Sequence, residues 1–224
     1  MTFATEVFDA TSYTAEAAER IAGAVEGARS VVLTGGTTAE KIYPVLARAA
    51  IAWSEIEVLF SDERCVPPAD PASNFGMAER LMLERVSPGR VHRMPGEEPP
   101  EHGAELYHAA IAPVVERGID VVLLGMGVDA HVGALYPGSL ALEESERLCV
   151  AVDRPDGMKG LTLTPPALLA GRKVLLLVTG AAKADTVARV ISGEDSVAMC
   201  PARLLADHPD VTFLLDEGAA ADLR

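Results

Sequence analysis

The chain has far fewer basic residues than acidic residues. Nineteen lysines and arginines stand against 33 aspartates and glutamates, which gives a formal net charge of −14 at pH 7. A field of this sign opposes binding to nucleic acids and to anionic membranes, and it also repels phosphorylated metabolites. We therefore expect no nucleic-acid partner and no membrane association. A phosphorylated ligand would require a local cluster of positive charge.

Cysteines are few, and the common metal and nucleophile motifs are missing. Cys65, Cys149 and Cys200 are far apart and show no C-x-x-C spacing, so neither a disulfide framework nor a zinc site is indicated. The sequence also lacks H-E-x-x-H, an acidic calcium loop, G-x-S-x-G and a Walker A motif. We therefore expect no bound metal and no serine nucleophile of the hydrolase-elbow type.

Long apolar runs are absent as well. No stretch of eighteen apolar residues occurs, and the first ten residues lack the basic start and apolar core of a secretory signal. With 224 residues, of which 49% are hydrophobic, the chain is long enough to bury a core without disulfides or metals. We expect a single domain over residues 1–224, located in the reducing environment of the cytoplasm.

Short apolar strands alternate with helical segments along the chain. The predicted strands cover residues 2–9, 30–34, 56–60, 91–94, 119–124, 148–152, 174–179 and 211–215. The predicted helices cover 13–27, 39–50, 74–86, 101–117, 164–169 and 201–206, and another begins at 180–183. This alternation predicts an α/β fold, a three-layer sandwich with a mostly parallel, Rossmann-like central sheet flanked by helices. Residues 153–160 are expected to be irregular.

The strand at 119–124 leads into the loop with the clearest functional signal. Apart from Asp120 the strand is apolar, as a parallel sheet covered by helices requires, and Asp129 and His131 follow after Gly125-Met126-Gly127. Because such sheets place ligands at the carboxyl ends of their strands, His131 is suited to general acid/base work near neutral pH. No chemical role is expected for the other histidines, which are His92, His102, His108 and His208.

Three other loops should meet this one at the same edge of the sheet, and each carries groups that suit an anion. The turn at 35–38 offers backbone N–H groups at a helix N-terminus, although a plain tight turn has the same composition. Asp62-Glu63-Arg64 combines two carboxylates with a guanidinium, or is simply a solvated charge run. Lys183 begins a helix after a strand, where its ammonium could assist anion binding.

Six segments together resemble the 6-phosphogluconolactonase family, which shares a fold with the glucosamine-6-phosphate deaminases. In chain order they are LTGGTT, SDERCVPPADPASNFGMAERLML, GMGVDAHVGALYPGS, LTLTPPALL, VTGAAKA and PARLL. The resemblance implies a hydrolase that opens 6-phospho-D-glucono-1,5-lactone to 6-phosphogluconate in the oxidative pentose phosphate pathway. It also implies that no metal and no organic cofactor takes part.

The resemblance assigns roles by position. His131 would be the general base that activates water against the lactone carbonyl, and Asp129 would orient it. Contacts to the substrate and its phosphate would come from Gly35, Gly36, Thr37, Thr38, Asp62, Arg64, Asn74 and Lys183. This set includes the local cations that the net charge demands. The partner would be a phosphosugar lactone, and the chain would act as a monomer or a small homo-oligomer.

The sequence departs from the family pattern at Ala130, at Gly160, and at Val132-Gly133-Ala134, which stands where the family has T-A-S. Ala130 replaces the glycine of D-G-H, which would strain the loop if the position needs a positive φ. Gly160 replaces an arginine two residues before T-L-T, and the neighbouring Lys159 could supply its charge but not a bidentate clamp.

Two other functions stay open. A glucosamine-6-phosphate deaminase or isomerase would use Asp62 or Glu63 to move a proton at the second carbon of the sugar. Arg64 with the following Val66-Pro67, in place of an aromatic residue after Asp-Glu, favours the lactonase. A non-catalytic sugar-phosphate-binding protein is the other alternative, and only the departures at Ala130 and Gly160 support it.

Overall fold

The computed structural model describes residues 3–223, and its ten strands form two sheets. The strands are β1 (Ala4–Phe8), β2 (Ser30–Leu33), β3 (Glu57–Phe60), β4 (Asp62–Arg64), β5 (Arg90–Val91), β6 (Ile119–Gly125), β7 (Cys149–Asp153), β8 (Lys159–Leu163), β9 (Gly171–Val178) and β10 (Val211–Asp216). Seven of them make a sheet in the order β1-β10-β9-β6-β2-β3-β5, in which every pairing is parallel. The predicted α/β fold with a mostly parallel central sheet is confirmed.

Helices flank this sheet, and the longer ones turn an apolar stripe towards it. They are α1 (Tyr13–Val25), α2 (Thr37–Leu46), α3 (Asn74–Ala78), α4 (Glu84–Val86), α5 (Pro100–Arg117), α6 (Pro165–Leu169) and α7 (Ala184–Ser192). In α1, for example, Ala17, Ile21 and Val25 recur every four residues and are fully buried. A π-helical turn at Glu79–Leu83 joins α3 to α4, so the predicted helix at 74–86 is continuous but not regular.

The few aromatic residues include two tyrosines that secure the ends of neighbouring strands. The Tyr43 hydroxyl of α2 donates to the carbonyl of Thr34 and accepts from its N–H, just beyond β2. The Tyr107 hydroxyl of α5 bonds the N–H and the carbonyl of Phe60 at the end of β3 in the same way. Both hydroxyls are buried, and each satisfies backbone groups that the sheet leaves unpaired.

The strand order reverses between β2 and β6, which are neighbours in the parallel sheet. From β2 the chain continues outward to β3 and β5, whereas β9 and β10 follow on the other side of β6. In open α/β sheets, ligands bind in the crevice that such a reversal opens beyond the carboxyl ends of the strands. The topology alone therefore directs attention to the loops after β2 and β6.

A second sheet of three antiparallel strands, in the order β4-β8-β7, differs from the expectation. The prediction of a loop at Asp62-Glu63-Arg64 was wrong, and the irregular structure predicted over 153–160 is confined to the turn at 154–158. Residues 62–64 form β4, which pairs with β8, and residues 149–163 form a β-hairpin. Charged residues have low strand propensity, so only the distant partner strand explains why β4 is extended.

Several predicted boundaries also move. The strand predicted at 91–94 is only the two-residue β5. The helix predicted at 39–50 begins two residues earlier, and a 3₁₀ turn over Ala181–Lys183 precedes α7. The strand predicted at 2–9 corresponds to β1, and its first residue, Thr2, lies outside the described residues. None of the described helices has the length and apolar character needed to cross a membrane.

Candidate active site

A cavity opens at the strand-order reversal, and five parts of the chain line it. They are the turn after β2 with the start of α2, strand β4, the loop after β6, the hairpin residue Arg154, and the end of β9 with Lys183. The turns after β2 and β6 are joined directly, because Gly125 N–H donates to Thr34 Oγ1 at 3.2 Å. The four segments that the sequence predicted to gather at one edge of the sheet therefore do meet at this cavity, although residues 62–64 are a strand and not a loop.

The N-terminus of α2 faces the cavity with its backbone donors free. Gly36 is the N-cap residue, its φ is 92°, and no side chain of residues 3–223 caps the helix. The first N–H groups of a helix have no intrahelical partner and carry part of the helix dipole, so they attract an anion. Thr37 and Thr38 line the cavity here, and Thr38 Oγ1 lies 2.9 Å from Thr179 Oγ1 in the loop after β9.

Position 35 requires a glycine because another side chain approaches its backbone closely. A Cβ at Gly35 would lie 2.0 Å from Oδ1 of Asn74. Asn74 is buried and does not line the cavity, although the sequence placed it among the substrate contacts. Its amide instead donates to Asp62, at 2.9 Å to the carbonyl oxygen and 3.1 Å to Oδ2. Asn74 thus supports the cavity from behind by fixing Asp62 and the glycine turn.

His131 and Asp129 form a close pair beside the cavity. Nδ1 of His131 lies 2.6 Å from Oδ1 of Asp129, and this hydrogen bond lowers the pKa of the carboxyl group. Because an ionised carboxylate only accepts hydrogen bonds, this contact favours the neutral tautomer with the proton on Nδ1 and the lone pair on Nε2. His131 lines the cavity, and within residues 3–223 its Nε2 has no hydrogen-bond partner. The pair therefore has the arrangement of an oriented general base.

The loop that carries this pair is held by backbone hydrogen bonds. Gly127 N–H donates to the carbonyl of His131, and Ala130 N–H donates to that of Gly127. From outside the loop, the Thr186 hydroxyl of α7 donates to the carbonyl of Val128, and Ala202 N–H donates to that of Ala130. The segments around α7 and 201–205 thus fix the loop from behind.

Two positions in this loop are sterically demanding. A Cβ at Gly127 would lie 2.2 Å from Nδ1 of His131 and 2.5 Å from Oδ1 of Asp129, so only glycine leaves room for the pair. Ala130 is buried and has a φ of 66°. The condition for strain stated from the sequence is therefore met, since left-handed backbone costs a non-glycine residue roughly 1 to 2 kcal/mol.

The two carboxylates of β4 point in different directions. Asp62 lines the cavity and accepts a hydrogen bond from the Ser61 hydroxyl at 2.8 Å. Glu63 does not line it and is buried on the other side of the strand. Burial raises the pKa of Glu63, and four donors oppose that shift by stabilising the charged form. These donors are the N–H groups of Arg64, Asn74 and Phe75 and the hydroxyl of Ser73.

Arg64 and Lys183 bring positive charge to the cavity. The negative net charge of the sequence predicted that a phosphorylated ligand would require such local positive charge. Arg64 is anchored by Nη1, which donates to the carbonyl of Ala72 at 2.5 Å, and its buried Nε has no partner among the described residues. Burial lowers the pKa of Lys183, and the nearby Asp216 opposes that shift. Asp216 also accepts the N–H of Gly180 and thereby fixes the turn before Lys183.

Tyr136 and Arg154 also line the cavity, and neither was anticipated from the sequence. The Tyr136 ring lies 4.7 Å from the His131 ring, between centroids, and Arg154 Cζ lies 5.9 Å from the Tyr136 ring centroid. Lys159 is exposed and pairs with Asp153 at 2.6 Å, outside the cavity lining. In the sequence, Arg154 is only a lone arginine shortly after the strand predicted at 148–152. The β-hairpin is what places it at the cavity.

The described residues contain no cluster of three His, Cys, Asp or Glu side chains that could hold a metal ion. The cavity itself brings several functional groups together. It offers a base with an orienting carboxylate, an anion-binding helix end and several cations.

Comparisons with known proteins indicate one family. Residues 5–213 match the family model described as glucosamine-6-phosphate isomerases/6-phosphogluconolactonase. A 6-phosphogluconolactonase of Synechocystis sp. is 35% identical over 210 residues, covering 90% of this chain and 87% of that protein. One of Mycobacterium tuberculosis is 36% identical, with 100% and 99% covered. The crystal structure of a 6-phosphogluconolactonase from Shewanella baltica OS155 superposes with a TM-score of 0.85 at 26% identity, covering 96% of this chain and 97% of that one.

Proposed function

Since the chain belongs to the glucosamine-6-phosphate isomerase/6-phosphogluconolactonase family, we propose that it opens 6-phospho-D-glucono-1,5-lactone to 6-phosphogluconate by His131-assisted attack of water. The curated relatives are lactone hydrolases at about 35% identity over most of the chain, and the chain is an enzyme of that hydrolase class. Its reaction belongs to the oxidative pentose phosphate pathway. The observation that carries the mechanism is the His131–Asp129 pair beside a cavity that also holds a free helix N-terminus.

The charge around the cavity supports a phosphorylated substrate. The lining contains Arg64, Arg154 and Lys183 against the single carboxylate of Asp62, in a protein whose net charge is −14. Such a local excess of cations is what a phosphate needs in order to bind against the overall field. The N–H groups at the start of α2 would donate hydrogen bonds to the phosphate oxygens, together with Arg64 and Lys183.

The proposed reaction is acyl transfer from the ring oxygen to water. Nε2 of His131 takes a proton from water as the water oxygen attacks the lactone carbonyl carbon. Asp129 holds Nδ1–H and stabilises the imidazolium that forms. When the tetrahedral intermediate collapses, the bond from the carbonyl carbon to the ring oxygen breaks, and the imidazolium returns the proton to the leaving oxygen. A positioned base of this kind contributes roughly 10² to 10⁴ in rate.

The intermediate places negative charge on the former carbonyl oxygen, which needs hydrogen-bond donors. Two N–H groups of the catalytic loop are already used, because Gly125 donates to Thr34 Oγ1 and Gly127 donates to the carbonyl of His131. In this conformation neither is free to stabilise the oxyanion. The donors must therefore come from other groups around the cavity.

The position of Glu63 removes one of the two carboxylates that the isomerase or deaminase alternative could use as its base. A base that moves a proton at the second sugar carbon must reach the substrate. Glu63 is buried away from the cavity and is engaged by four donors, so it cannot do so without rearrangement. Asp62 is then the only one of the two carboxylates that lines the cavity.

A substrate panel tests the proposal. Wild-type protein is assayed for acid release from freshly generated 6-phosphogluconolactone, with spontaneous hydrolysis subtracted, and for ammonia release from glucosamine 6-phosphate. We expect acid release and no ammonia. Ammonia release would favour the deaminase instead. A rise in unfolding temperature with 6-phosphogluconate but no turnover of either substrate would indicate a binding protein.

A further inference from the structure

Arg154 is a cation at the cavity that the mechanism above does not use. Its side chain is only 9% exposed and extends from the turn that follows β7. Nε and Nη2 both donate to Oδ2 of Asp156, at 3.2 and 3.1 Å. Nη1 lies 3.9 Å from Oδ2 of Asp62, which is too long for a hydrogen bond. A guanidinium has five N–H donors, so a nearly buried one with a single bonded carboxylate keeps donors free.

Gly160 makes room for this side chain. A Cβ at Gly160 would lie 2.9 Å from Cδ of Arg154 and 3.3 Å from its Cγ. Gly160 pairs with Val152 across the hairpin, so the stem of Arg154 lies against the bare backbone of β8. The glycine at 160 and the arginine at 154 are thus parts of one arrangement, which places a guanidinium at the cavity from the opposite strand of the hairpin.

Arg64 acts in the same region as Arg154. Burial raises the pKa of Asp156, but the hydrogen bond from Arg154 and the charges of Arg154 and Arg64 prevail and lower it. Both arginines line the cavity, and Arg64 Nε is buried without a partner among the described residues. Asp156 itself is exposed on the hairpin turn, where water can take over its interactions. A phosphate could therefore replace Asp156 as the partner of Arg154 at little cost.

We infer that Arg154 is a substrate-binding residue, which releases Asp156 and clamps the phosphate of the substrate together with Arg64. The inference rests on the proposed function for the identity of the substrate. It also accounts for the departure at Gly160, because a guanidinium reaches the cavity from Arg154 instead. Lys159 is excluded from this role, since it is paired with Asp153 outside the cavity.

Steady-state kinetics of Arg154→Ala test the inference, with Lys159→Ala as the matched control on the same hairpin. Loss of a charge-assisted bidentate contact should raise KM for 6-phosphogluconolactone about 10- to 100-fold, with kcat changed little. On unphosphorylated glucono-1,5-lactone, kcat/KM of Arg154→Ala should equal that of wild type. An equal loss on both lactones, or no loss on either, would overturn the phosphate contact. Lys159→Ala should match wild type throughout.

A second variant separates the guanidinium from its position in the chain. Arg154→Ala combined with Gly160→Arg places an arginine on the facing strand and should recover most of the lost affinity. A folded double variant that keeps the high KM would count against the inference.

A binding measurement keeps this contact separate from the lactonase assignment. If wild type failed to hydrolyse the phosphorylated lactone, the proposed function would fail, but the phosphate contact could still be decided. Inorganic phosphate should raise the unfolding temperature of wild type and of Lys159→Ala more than that of Arg154→Ala. Equal shifts in all three proteins would reject Arg154 as a phosphate ligand.

Discussion

The two sheets meet at one cavity but supply it with different chemistry. The loops of the parallel sheet contribute glycine turns, a free helix N-terminus and the His131–Asp129 pair. The antiparallel sheet contributes charged side chains, Asp62 and Arg64 from β4 and Arg154 beside β7. Under the proposed function, the parallel sheet would supply the reacting base, and the antiparallel sheet would supply two arginines to the phosphate. The start of α2 and Lys183, which follow strands of the parallel sheet, would contact the phosphate as well.

Among the substitutions that test this comparison between the two sheets, the largest effect is expected at Gly127. In Gly127→Ala the new methyl group would overlap both Nδ1 of His131 and Oδ1 of Asp129, so the pair must move. Because a misplaced base loses most of its contribution, kcat should fall about 100-fold or more, with a smaller change in KM. Gly23→Ala is the control, since its Cβ would have no neighbour within 4 Å. A rise in KM at unchanged kcat would break the division between the sheets.

Lys183 gives a smaller, pH-dependent effect. Burial lowers the pKa of its ammonium below the ordinary value. Full affinity for 6-phosphogluconate is therefore expected while Lys183 is protonated, with a loss of about tenfold as pH rises through its lowered pKa. The inhibition constant of 6-phosphogluconate measures this. In Lys183→Arg the constant should stay flat over the same range, and a parallel decline in that variant would assign the pH dependence to another group.

The smallest effect is expected at Ala130. Ala130→Gly relieves left-handed strain of roughly 1 to 2 kcal/mol but frees the unfolded chain by about 0.4 to 1 kcal/mol and removes a buried methyl group worth about 0.8 kcal/mol. The free energy of unfolding should therefore change by less than about 1 kcal/mol, and kcat by less than about twofold. Chemical denaturation and the lactonase assay measure these quantities. A large gain in kcat would mean that Ala130 distorts the catalytic loop.

The parallel sheet could be predicted from the sequence because its signal is local. Apolar runs such as 119–124 and 174–179 must be buried on both faces, and the glycines and polar residues that follow them mark the loops at the carboxyl ends. The same pattern indicates His131, which lies in the loop after the strand at 119–124. The proximity of Gly35, Arg64, His131 and Lys183 also followed from parallel strands ending at one edge.

The antiparallel sheet could not be predicted in the same way because its pairing is long-range. Residues 62–64 pair with 160–162, and neither the charged strand nor its glycine-containing partner has a strong strand propensity. The contributions of Arg154 and Tyr136 depend on that hairpin and on the loop packed beside it. The indirect role of Asn74 was hidden for a similar reason, since only the packed structure shows it behind Gly35 and Asp62.

The central claim, that His131 is the base of a lactone hydrolase, is tested most directly by kcat on freshly generated 6-phosphogluconolactone. His131→Ala is compared with wild type and with His102→Ala, which alters a histidine that is 55% exposed on α5. We predict that kcat of His131→Ala falls at least about 100-fold while His102→Ala matches wild type. Turnover by His131→Ala equal to that of wild type, after the spontaneous rate is subtracted, would contradict the claim.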